Sequence, residues 1–142
     1  MLGADGVLMG TRFYASIEAA GAQAAKERIV AASGDKTIRS ILFDIARRNI
    51  WPAPYTGRVL RNAFTERWGG REAELMQHHE EATRYAEARA SGDLDTAAVI
   101  AGESVDLVSD IAPAAEIIER TVAQAEMLLA GSSNRYRIAA AR

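Results

Sequence analysis

Gly10 and Thr11 follow directly on the apolar run Val7-Leu8-Met9, and this is the first place where residue types and spacing suggest chemistry. A glycine at the end of a buried strand lets the backbone come close to a ligand. Its neighbouring N–H groups, with the Thr11 hydroxyl and the peptide between Met9 and Gly10, can hold an anion such as a phosphate. On residues alone the commoner explanation is a tight strand-to-helix turn at Gly10, with Arg12 and Phe13 simply packing. His78-His79 suggests a metal ligand pair or a general base. Adjacent residues on a helix point about 100° apart, however, and no histidine stands four residues from either, so two surface histidines are expected, with neither a metal site nor a catalytic base. Arg58, Arg61 and Arg67, with Trp51 and Trp68, read either as an anion patch or as arginines that cover aromatic surface and pair with carboxylates; the second is expected. Gly102-Glu103-Ser104 is a polar turn of the kind that joins helices.

The elements that must position these residues follow from pattern. Gly6 to Met9, bounded by Gly3, Gly6 and Gly10, reads as a short strand buried on both faces. Ser16, as an N-cap with Glu18 behind it, predicts a helix to about Ala32, closed by Ser33-Gly34-Asp35. Thr37 to Phe43 reads equally as strand or helix, and Asp44 to Arg48 as a helical turn. Asn49 to Gly57 holds two of the three prolines and reads as an ordered loop, with Trp51 and Tyr55 expected to be covered. Helices are predicted over Arg58 to Trp68 and Arg71 to about Ala90, the second largely solvated with a thin packing stripe at Ala73, Leu75, Met76, Ala82 and Ala86. Ser91-Gly92-Asp93 breaks the chain, and Asp95 to Val108 is ambiguous. The last helix has Pro113 in its first turn and Gly131 just past its end. Ile117, Ile118, Val122, Ala125, Leu128 and Leu129 lie on one of its faces, which is expected to be buried.

With 142 residues, 49% hydrophobic and 25% charged, the chain has the profile of one globular unit, and a net charge of -2 gives no electrostatic reason to expect nucleic acid or a membrane surface as partner. The absence of cysteine excludes disulfides, thiolate nucleophiles and cysteine-bound zinc. MLGADGVLMGTRF has no basic leader region and too short an apolar run for a span, so a cytoplasmic location is expected. One strand followed by helices is an odd tally, because a buried strand needs neighbours on both edges.

The stretch from Gly3 to Phe13, with the form GAD-G-V-x-x-G-T-R-F, resembles the last barrel strand and phosphate loop of FMN-dependent nitronate monooxygenases. Trp51 to Asn62, containing Thr56-Gly57-Arg58 and Arg61-Asn62, is similar to the family's TGR-x-x-RN segment. Ala101 to Val105 and Ile111 to Ile118 continue the resemblance in order. Glu103 stands where the family usually has glutamine and Asp106 where it generally has glycine; a glutamate cannot donate to a flavin oxygen as glutamine can.

The resemblance implies an α/β fold of which this chain is the C-terminal part: the last strand of an FMN-binding (β/α)8 TIM barrel plus a helical extension, mostly helical as a polypeptide. The expected division is residues 1–33 for the last strand, phosphate loop and following helix, 34–131 for the extension and 132–142 for a flexible tail. A complete barrel needs about 250 residues. The implied activity is oxidation of alkyl nitronates with O2 on FMN, with Met9, Gly10, Thr11, Gly102 and Ser104 binding the cofactor and the catalytic base lying upstream. The alternatives are part of an FMN-dependent enoyl-acyl carrier protein reductase, or a non-catalytic helical module that docks through its last helix. In isolation the chain is expected to be inactive and to self-associate through exposed strand edges.

Overall fold

A computed structural model describes residues 5–140, with side chains described through residue 131. Gly3 and Ala4 of the first motif lie outside the described residues. The elements run α1 (Thr11–Tyr14), α2 (Gln23–Val30), β1 (Thr37–Ser40), α3 (Leu42–Ala46), β2 (Gly57–Leu60), α4 (Ala63–Trp68), α5 (Glu72–Leu75), α6 (Glu80–Ser91) and α7 (Ala114–Ala140), with single 3-10 turns at Gly34–Lys36 and Glu103–Leu107. The protein is therefore mostly helical, with one small sheet. Among the described residues, no helix is long and apolar enough to cross a membrane.

The sheet resolves the ambiguity at residue 37. Thr37, Ile38 and Val59 are β-branched and suit a pleated surface, and β1 pairs antiparallel with β2 in the register Thr37↔Leu60, Ile38↔Val59. Arg58 to Leu60 are thus strand rather than the predicted start of a helix. That helix begins only at Asn62, which closes a capping box: Asn62 Oδ1 accepts from the Thr65 N–H at 3.0 Å, and Thr65 Oγ1 accepts from the Asn62 N–H at 2.9 Å. The Asn62 amide also donates to the Leu94 and Ala97 carbonyls, at 3.1 and 3.0 Å, and so pins the 94–97 loop to α4.

On these elements sits an aromatic core. Phe43 from α3, Phe64 from α4 and Tyr85 from α6 meet with ring centroids 5.3 to 6.1 Å apart, backed by Leu42, Ile45, Trp68 and Leu75. A second cluster, of Ala15, Ile29, Leu60, Val99, Ala101 and Val105, joins α2 to the 99–105 segment. The predicted helix over 71–90 is broken at Met76–His79, and its buried stripe is Leu75, Glu81, Tyr85 and Ala88 instead of the alanines at 73, 82 and 86. Burial of Glu81 is balanced by Arg84 at 3.0 Å and Arg67 at 3.4 Å. Gly92 ends α6 at φ 76°, a left-handed position that glycine takes without strain.

Other expectations are corrected. Residues 6–9 form no strand: Val7 is 80% exposed and Leu8 fully so, because no described segment offers them hydrogen-bonded neighbours. Ser16 does not cap a helix. It is buried in an isolated parallel bridge to Ala112, and α2 opens later, at Gln23. Trp51 and Tyr55 stay largely exposed. α7 passes through Gly131 rather than ending before it, and of the face expected to be buried only Ile117 is, with Ile118, Val122 and Leu128 exposed. For the tail expected at 132–142, the backbone is helical to Ala140, while its side chains and last two residues lie outside the described set.

Candidate functional site

Two segments read from the sequence as cofactor-binding, 91 positions apart, meet directly: the Gly102 N–H donates to Thr11 Oγ1 at 2.8 Å. The contact follows from the fold around it. The Leu60 N–H donates to the Val99 carbonyl at 2.9 Å, and Val59 bridges Ile100, so residues 99–101 run along β2 as a short extra strand that delivers Gly102 to α1. Because Thr11 Oγ1 accepts that bond, its own hydroxyl proton stays available to another acceptor.

Gly10 precedes α1 with φ -89° and ψ -61°, a conformation open to any residue, and a Cβ built on it would meet nothing within 4 Å. Nothing among the described residues therefore requires a glycine there. The N–H groups of Thr11, Arg12 and Phe13 make no hydrogen bond with any described residue, as is normal for the first turn of a helix. Open space at Gly10 beside three free N–H donors is a surface that an anion can approach closely.

Around this point the remaining segments of the resemblance are tied together. Arg58 donates to Thr37 Oγ1 at 2.9 Å and pairs with Glu103 at 3.2 Å, so the glutamate at the family's glutamine position is directed to an arginine of another family segment. Asp106, at the family's glycine position, accepts the Gly34 N–H at 2.9 Å. Arg12 donates to the Asp110 carbonyl at 2.7 Å and to its carboxylate at 2.6 Å, and Arg120 donates to the other carboxylate oxygen. The Arg120 hydrogen bond above all, with the charges of Arg12 and Arg120, holds the Asp110 carboxyl below the usual carboxylate range. The Ala114 N–H at the start of α7 is met by the Glu18 carboxylate. Arg12 is thus a structural anchor between the first and last segments.

Met9 is half-buried beside Gly10, and Ser104 is exposed in the 3-10 turn after Gly102, its hydroxyl without a hydrogen-bond partner among the described residues. Neither histidine bonds to this region. His78 Nδ1 lies 2.6 Å from Glu80 Oε1 with its ring 5.3 Å from that of Trp68, and His79 Nδ1 accepts from Arg48 at 3.0 Å. Of the arginines expected to cover aromatic surface, Arg67 lies 4.8 Å from the Trp68 ring, joined by Arg71 at 5.1 Å, while Arg58 pairs with Glu103 and Trp51 stays exposed. Sequence reasoning missed Lys26, which is buried and donates to the Ser16 and Ile17 carbonyls at 2.7 and 3.1 Å, holding the turn after α1. A lone lysine on the alanine-rich stretch 22–32 was the available signal.

The family model for nitronate monooxygenase matches residues 1–124. The chain belongs to the nitronate monooxygenase family. It is 33% identical over 121 residues to a nitronate monooxygenase of Neurospora crassa, a match covering 82% of this chain and 31% of that protein. It is 35% identical over 136 residues to the nitronate monooxygenase npaC of Metarhizium robertsii, covering 90% of this chain and 37% of that one. The chain therefore spans about a third of the length of these curated relatives, and it corresponds to the family's C-terminal part. Among solved structures it is similar to FabK from Thermotoga maritima, with a TM-score of 0.64 and 30% identity over 87% of this chain and 39% of that one. The M276A mutant of the same protein gives 0.61 and 27%, over 89% and 36%.

Proposed function

We propose that this chain carries part of the FMN-phosphate site of a flavin-dependent nitronate monooxygenase built on a (β/α)8 barrel. The observation that carries the reading is Gly10, a glycine that no described residue requires, facing open space beside the N–H groups of Thr11, Arg12 and Phe13, which have no partner among the described residues. A phosphate held there would account for it, because a side chain at residue 10 would occupy the anion's place. Bound FMN supplies the redox chemistry, the oxidation of an alkyl nitronate with O2. The protein's part is to hold and orient. Gly10 and Thr11 present backbone donors, Thr11 adds its hydroxyl, and Met9 shapes the approach. The Gly102 N–H orients the Thr11 oxygen, and Ser104 extends the polar rim. The base that handles the substrate proton belongs to the barrel portion upstream.

The experiment is an FMN titration followed by flavin fluorescence, on the chain alone and on a form extended to the length of its relatives. The extended protein is expected to retain FMN and to turn over a nitronate, and Gly10→Val to abolish retention while the helical signal persists. Thr11→Ala is expected to weaken binding by about fivefold, since the backbone donors survive and one hydrogen bond is worth roughly 1 kcal/mol. Gly10→Val that still purifies with stoichiometric flavin would overturn the phosphate assignment. Low-micromolar FMN binding with turnover by the chain alone would show instead that it carries a complete site. The likeness to FabK favours a second reading, the enoyl-acyl carrier protein reductase, for which the loaded protein would consume NAD(P)H with an enoyl thioester.

A further inference from the structure

Beneath the C-terminal end of α3, the 49–57 loop and α6 enclose a cleft of about 770 Å³, within the range of small-molecule sites. Its charged lining is one-sided: Arg47, Arg48 and Arg89 against a single acid, Asp44. Arg47 is committed, donating to Asp44 at 2.7 Å and to the Phe43 carbonyl at 3.0 Å. Among the described residues the Arg89 side chain makes no hydrogen bond or ion pair, and the Arg48 guanidinium has one polar partner, His79 Nδ1. The walls hold two flat rings, Trp51 and Tyr55, which are 59% and 61% exposed. Where Trp68 is covered by two arginines, no described cation stacks on Trp51.

The backbone supplies an independent sign. The α3 helix ends in a Schellman motif, with the Arg48 N–H donating to the Ile45 carbonyl and the Asn49 N–H to the Asp44 carbonyl, both at 2.9 Å. Arg48 occupies the left-handed position of that motif, at φ 54°, where glycine is the residue the backbone favours. An arginine at a position where the backbone favours glycine, with its side chain lining a cationic cleft, is a local conflict of the kind found at functional sites.

We propose that this cleft binds an organic anion with a flat, apolar body, the rings of Trp51 and Tyr55 taking the body and Arg48 and Arg89 the charge. An arginine fork suits a phosphate or carboxylate, and burial against aromatic walls strengthens the pairing. The binding involves none of the flavin chemistry, so it is tested without FMN and its failure leaves the flavin reading where it stood.

The test is calorimetric titration of the chain with AMP, octyl phosphate and inorganic phosphate, with tryptophan emission followed in parallel. AMP is expected to bind saturably, at least tenfold more tightly than inorganic phosphate, and to quench emission that Trp51→Phe removes. Octyl phosphate binding more tightly than AMP would overturn the flat-body assignment, and no saturable AMP binding would overturn the site. Arg89→Ala is expected to weaken AMP by about tenfold, the loss of one charge-assisted hydrogen bond. Arg48→Gly separates function from structure. It is expected to raise the thermal midpoint while weakening AMP by a similar factor, and AMP affinity unchanged in that more stable variant would refute the role of Arg48.

Discussion

The middle of the molecule and its two ends are held by different physics. Between β1 and α6, stability comes from apolar side chains that meet one another: Phe43, Phe64, Tyr85 and Trp68 are each 4% exposed or less. The ends meet through small apolar side chains, Ala15 with Val105 and Val108, and largely through polar contacts, namely Arg12 to Asp110, Glu18 to the start of α7 and the Ser16–Ala112 bridge, while Val7, Leu8, Ile118, Val122 and Leu128 stay exposed. Two glycines repeat the contrast. A Cβ on Gly34 would lie 2.6 Å from the Glu103 carbonyl oxygen, so the packing of the 103–106 turn demands glycine there; a Cβ on Gly10 would meet nothing. A residue that the interior explains belongs to the fold. One that it leaves unexplained points to a ligand or a further stretch of polypeptide.

The sharpest way to break this contrast is in the aromatic core. Phe64→Ala removes a ring stacked 5.3 Å from Phe43 and is expected to lower stability by about 3–5 kcal/mol, measured by denaturant unfolding. A loss below 1 kcal/mol would mean that the middle is not the self-sufficient part. Next comes the glycine pair. Gly34→Ala forces a backbone carbonyl to move and is expected to destabilise by about 1–3 kcal/mol, whereas Gly10→Ala is expected to stay within about 0.5 kcal/mol. Equal effects would remove the argument that Gly10 is there for something outside the chain.

How much of this was legible in the sequence follows the same division. The sequence places the four motif segments in order along the chain; that Thr11 meets Gly102 and Arg58 meets Glu103 is a tertiary fact that neither order nor periodicity carries. Pattern failed where a tertiary partner decided the outcome. Arg58 to Leu60 look helical beside Phe64 and Trp68, but β1 is available as a partner and Asn62 fixes the helix start. The polar Ser16 looks like a cap yet is buried by its bridge to Ala112. Val7 to Met9 and the face of α7 have the apolar pattern of buried surface, but no described residue covers most of it. The Arg48 conflict is invisible in sequence, since it lies in the φ that the end of α3 imposes on an arginine.

The smallest expected effect concerns the joint between the ends. Asp110 is held below the ordinary carboxylate range, chiefly by its hydrogen bond from Arg120 and then by the charges of Arg12 and Arg120. A carboxyl whose folded value is depressed adds stability that is fully present above its unfolded value, about 3.9, and is lost as pH falls through the folded one. Glu74, Glu80 and Asp93 are lowered as well, so the fall of the thermal midpoint with acid cannot be assigned to Asp110 without a control. Asp110→Asn supplies it: the midpoint of the parent is expected to exceed that of the variant near pH 6, with the gap closing as pH drops to about 2. The gap is expected to be small, because both partners are partly solvated and such pairs contribute little. High salt should narrow it further near pH 6. A gap that persists undiminished at the acid end would show that Asp110 joins Arg12 to α7 through its shape and carbonyl contact rather than its charge, and that the first and last described segments are packed together more like the middle than the exposure of their apolar residues suggests.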